Sequence, residues 1–116
     1  MLRFKDKNVV SFEPAPGEKI LLDEDCSEDR LRSGILVLTD HRLVFQKTQG
    51  RIATLSKKET EVVLDISLDK ISSVRSEGFL VKKLVVNVAG DQIYKFGVFN
   101  NGKWERQIKQ IISGAS

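Results

Sequence analysis

In residues 34–45, GILVLTDHRLVF, two apolar runs are joined across Asp40 and His41. A join this short predicts a tight β-hairpin, and Asp and His are among the few non-glycine residues that tolerate the positive φ of a two-residue turn. Residues 61–68 alternate cleanly, with Val62, Leu64, Ile66 and Leu68 on one face and Val63, Asp65 and Ser67 on the other, as a half-buried strand requires. Shorter runs predict further strands at 19–22, 31–39, 42–46, 71–77, 81–88 and 92–98. Leu84, Val86 and Val88 should face one way, and Tyr94, Phe96 and Val98 should form the inward set of the last strand. Between these runs, DEDCSED at 23–29 reads as a polar loop, 47–60 as a long connection in which 52–55 adds strand pairing, and Gly78, Phe79 and Leu80 as a turn. Ala89, Gly90 and Asp91 form another tight turn.

After Asn100, Asn101 and Gly102 the period changes. Trp104, Ile108, Ile111 and Ile112 fall at i, i+4, i+7 and i+8, one stripe of an amphipathic helix whose first turn either asparagine can cap. Short antiparallel strands followed by such a helix predict a mainly β fold: a partly open seven-stranded barrel of two antiparallel sheets, capped by a C-terminal α-helix. Residues 1–17 form an N-terminal arm or an extra strand, and residues 18–116 form the barrel domain.

The 116 residues suit one domain with a modest core, and no apolar run approaches the roughly 18 residues that cross a bilayer. Asp6 and Asn8 interrupt the stretch where a secretory signal would be apolar, and a lone cysteine, Cys26, excludes an internal disulfide framework. A cytoplasmic location, with peripheral use at a membrane, is therefore expected. The net charge is +3, but Glu13, Glu18, Asp23, Glu24, Asp25, Glu28 and Asp29 crowd one segment and leave the rest basic.

The stretch Gly34 to Phe45 resembles the hairpin signature of the pleckstrin-homology superfold, in its GRAM and GLUE branches. LDISLDKISSV at 64–74 is similar to the fourth-strand element of those domains, and IYKFGVF followed by Trp104 extends the likeness to about residue 112. These motifs are structural ones, so the resemblance implies a barrel and prescribes no chemistry.

Little in the chain suits catalysis. The one histidine, His41, sits in a turn, and Cys26 lies among carboxylates that disfavour its thiolate. No enzyme activity, metal or cofactor is expected. Nucleic acid is not expected either, because the few aromatics mostly fall at core positions. Arg42 reads as a strand-starting residue pairing with a nearby carboxylate, and Trp104 as core.

The resemblance implies a lipid- or protein-binding adaptor. Domains of the superfold that hold inositol phosphates usually use a basic first loop, whereas this chain has five carboxylates at 23–29. Arg75, Lys82 and Lys83 flank a turn carrying Phe79 and Leu80, a composition suited to anionic, phosphoinositide-type headgroups at a membrane surface. GLUE domains that bind phosphoinositides border their pocket with the same turn. Lys47, Arg51, Lys57 and Lys58 form a secondary basic loop. The alternative is a protein-interaction module of the ubiquitin-binding or trafficking-complex kind, with Val63 and Val85 as an exposed apolar patch.

Overall fold

The computed structural model describes residues 12–49, 59–79 and 81–114. The expected pairing at 52–55, the basic residues Arg51, Lys57 and Lys58, Leu80, and residues 1–11 of the arm lie outside the described residues. Seven strands are described: β1 (Ile20–Glu28), β2 (Arg32–Thr39), β3 (Arg42–Gln49), β4 (Glu59–Ser67), β5 (Ile71–Glu77), β6 (Lys83–Val88) and β7 (Gln92–Gly97). A 3₁₀ turn, Leu68–Lys70, joins β4 to β5, and one helix, α1 (Asn101–Ile112), follows β7.

All strand pairs are antiparallel, in the order β4-β3-β2-β1-β7-β6-β5. The middle join is slight: β1 meets β7 only through Ser27 with Gly97 and Glu28 with Phe96. The sheet therefore divides into a four-stranded and a three-stranded half. Its outermost strands, β4 and β5, are consecutive in the chain and linked by only the three residues of the 3₁₀ turn. At about 2 Å of rise per residue that link is very short, so the sheet must curl until its edges approach at one corner. The result is an open barrel, as the pattern predicts.

Leu36, Leu38, Leu43, Phe45, Leu84, Val86 and Phe96 fill its interior, and Trp104 and Ile108 of α1 close it, all fully buried. The helix packs against β5, β6 and the 3₁₀ turn. Gly34 permits the tight approach of β2 to β3, because a Cβ there would stand 2.2 Å from the Gln46 carbonyl oxygen and 2.7 Å from Phe45 Cζ. Phe12 packs on the opposite side of the sheet, over Val37 and Val44.

Five local expectations are corrected. The hairpin bend at Asp40 and His41 exists, with Leu38 opposite Leu43, but neither residue has positive φ. Thr39 Oγ1 shapes the bend instead, accepting from the His41 and Arg42 amides at 2.9 and 3.0 Å. Left-handed backbone occurs at Gly90 and Asp91, in the β6–β7 turn.

The expected polar loop at 23–29 is mostly strand β1. Leu22, Glu24, Cys26 and Glu28 take the more covered face while Asp23, Asp25 and Ser27 are exposed, a period of two hidden by the carboxylates. A bulge in β4 breaks the alternation at its start, because Phe45 opposes Leu64 while Gln46 opposes Val62. Val63 is the extra residue and packs against the core, leaving Val62 partly exposed.

Val85, expected on an exposed face, is fully buried between Arg75 and Lys95 in the register. Long charged side chains can cover apolar surface in this way. Lastly, Asn100 occupies the N-cap of α1 without a side-chain capping bond.

Candidate functional site

The β5–β6 loop leaves the sheet after the pair Glu77 with Lys83. Gly78 sets its course: φ is +130° and a Cβ would stand 2.2 Å from the Val81 carbonyl oxygen. The loop thereby presents Phe79, 90% exposed, and Val81, 73% exposed. Lys82 beside them is exposed and has no ion-pair partner among the described residues.

The other predicted cations are already engaged. Lys83 Nζ lies 2.8 Å from Asp29 Oδ1, and that contact holds the Asp29 carboxyl below the usual carboxylate range. Arg75 donates to Asn87 Oδ1 and to Glu77 Oε2, both at 3.3 Å. Of the secondary basic loop, only Lys47 is described, half-buried on β3 opposite Glu61 and Gly34.

The acidic segment is largely internal scaffolding. Glu24 Oε2 accepts from the Phe99 and Asn100 amides at 2.8 and 3.1 Å, and its Oε1 accepts from Trp104 Nε1 at 2.8 Å. Glu28 Oε1 accepts from the Arg30 and Leu31 amides at 2.8 and 2.9 Å, closing the β1–β2 turn. Asp23 and Asp25 line a groove of about 280 Å³ on the outer face, with Phe12, Ile35, Val37 and Gln46.

Arg42 pairs with carboxylates, as expected. Its guanidinium bonds Glu18 Oε2 at 2.8 Å and Asp65 Oδ2 at 2.8 Å, and lies 4.7 Å from the centre of the Phe12 ring. Hydrogen bonds from Arg42 and Thr39 hold the Glu18 carboxyl down at about 2, against its burial. Burial, then Glu24, Glu28 and Asp25, push the Cys26 thiol up to about 12, so it is no nucleophile at neutral pH. No group of three or more potential metal ligands occurs among the described residues.

Two strongly exposed apolar residues were missed: Val81, expected to open the strand at 81–88, and Phe99. Phe99, between β7 and α1, is 91% exposed. Alternation carried one step past inward Phe96 and Val98 would have turned Phe99 outward.

No family model matches this sequence, and no curated protein sequence matches it. Its fold is that of a pleckstrin-homology-like domain. Among solved structures it is similar to the Vps36 N-terminal PH domain, with a TM-score of 0.60 and 14% identity over 87% of this chain and 83% of that one. No helix among the described residues is long and apolar enough to cross a membrane.

Proposed function

We propose that residues 18–116 form a non-enzymatic adaptor module that docks on anionic, phosphoinositide-type headgroups at a cytoplasmic membrane surface. The observation that carries this reading is the β5–β6 loop, where Phe79 and Val81 are strongly exposed beside Lys82, which has no ion-pair partner among the described residues. Apolar side chains so placed can enter the lipid interface while lysine meets the headgroup region, each cation contributing about 1 kcal/mol. Lys83 and Arg75 add positive potential from just behind the loop but must share it with Asp29 and Glu77. Asp23 and Asp25 make the outer face of β1 unwelcoming to phosphate, which favours the loop over that face.

The rival, a protein-interaction module for ubiquitin or a trafficking complex, loses the patch that favoured it, since Val63 packs on the core and Val85 is buried. Liposome co-sedimentation with and without a phosphoinositide tests the lipid reading. Wild-type protein should pellet with the charged vesicles and less so as salt rises, while Lys82→Glu should stay in the supernatant. Equal pelleting of the two proteins would overturn it.

A further inference from the structure

We infer that the β7–α1 loop is a second apolar prong of the same surface, so that Phe99 enters the lipid interface together with Phe79 and Val81 inside a ring formed by Lys82, Lys103 and Arg106. This rests on the membrane-docking reading and extends it to a loop outside the predicted site.

Topology brings the two loops to one end of the barrel. Glu77 pairs with Lys83 across β5 and β6, and Leu84 with Phe96 across β6 and β7, so the β5–β6 loop and the chain after β7 leave from the same edge. Two residues beyond the Lys83 and Gly97 positions stand Val81 on one side and Phe99 on the other. The helix confirms the direction. Glu105, in its first half, accepts from the Ser76 amide near the end of β5, whereas Ile111 and Ile112 reach Leu68 and Ile71 at the strand's start.

The exposure of Phe99 is imposed by its neighbours. Its amide is pinned to Glu24 at 2.8 Å, Val98 before it is buried, and Trp104 beyond it is buried on the same carboxylate. Anchored on both sides, the ring can only face outward. A held, exposed phenylalanine at the same end of the barrel as two further exposed apolar residues is the kind of feature that marks an interaction surface.

Charge selects the occupant. Lys82, Lys103 and Arg106 are exposed and have no ion-pair partner among the described residues. The first turn of α1 holds no acidic residue, although a helix start favours anions and opposes cations. An anionic surface would reverse that unfavourable placement. The nearby carboxylates are committed elsewhere: Glu77 to Arg75, Glu105 to Lys109 and the Ser76 amide, and Glu24 to Trp104 and two amides. Asp25 turns into the groove beside Phe12.

The test is flotation with vesicles of phosphatidylcholine containing phosphatidylserine and a phosphoinositide, using wild type, Phe79→Ser, Phe99→Ser and Lys82→Glu. Each variant is checked for a buried Trp104 by its emission maximum. Phe99→Ser should reduce partitioning about tenfold, as should Phe79→Ser. If Phe99→Ser floats like wild type while Phe79→Ser and Lys82→Glu do not, the second prong is wrong and the docking site stands. If wild type itself does not float, both fall. A self-associating wild type that Phe99→Ser converts to monomer without changing flotation would also overturn the inference, assigning the patch to a second copy of the chain.

Discussion

Glu24 Oε1 accepts a 2.8 Å hydrogen bond from the indole Nε1 of Trp104, joining the middle of β1 to the helix that closes the barrel. The same carboxylate accepts from two amides just before α1, so it caps the helix from a different element. Glu24→Ala would leave these three donors without their acceptor. We expect a loss of about 3 kcal/mol, read as a lower urea midpoint with unchanged slope. A change below about 0.5 kcal/mol would show that water replaces the carboxylate at no cost.

Glu18 makes stability depend on pH. Its side chain is 3% exposed, bonded to Arg42 and Thr39, and its folded pKa of about 2 lies below the ordinary 4.5. A lowered carboxylate pKa contributes stability that is complete above the unfolded value and is lost as pH falls. The loss attributable to Glu18 should therefore run from near pH 4.5 down to about 2. Thermal melts across that range should show a shallower acid slope for Glu18→Gln than for wild type, along with a lower melting temperature at neutral pH.

Gly34 tests the packing between β2 and β3. Alanine at this position would meet the Gln46 carbonyl at 2.2 Å, and backbone cannot move aside as a flexible side chain could. Gly34→Ala should cost about 1–3 kcal/mol by chemical denaturation, despite adding an apolar group to a strand. An unchanged midpoint would mean that the strands separate freely.

Cys26 should be chemically silent in the folded protein. It is buried, and both burial and neighbouring carboxylates disfavour its thiolate. Alkylation at pH 8 should proceed only as the protein unfolds, so its rate should rise with denaturant. Rapid modification in native buffer would place the thiol at the surface.

The sequence discloses the barrel through features that depend on nearest neighbours. The hairpin around Asp40, the strand alternation at Leu64, Ile66 and Leu68, and the Trp104 and Ile108 stripe each follow from local spacing, and each is present. What it conceals depends on partners far along the chain. Glu24 reads as a loop carboxylate until Trp104, eighty residues later, supplies the donor. Val63 reads as an outward residue until the bulge opposite Gln46 turns it inward. At the site, Lys83 and Arg75 looked as free as Lys82, since composition cannot show that Asp29 and Glu77 already hold them. Phe99 was legible in principle from Phe96 and Val98, but the following asparagines signal a helix start and draw attention from it.

The central claim is that this end of the barrel meets the membrane, and amide chemical shifts of the labelled protein titrated with phosphoinositide-containing lipid nanodiscs test it most directly. Broadening should concentrate at Phe79, Val81, Lys82 and Phe99 and fade toward the Asp40 hairpin. Broadening centred instead on the groove lined by Asp23, Asp25 and Gln46, or none at any residue, would contradict it.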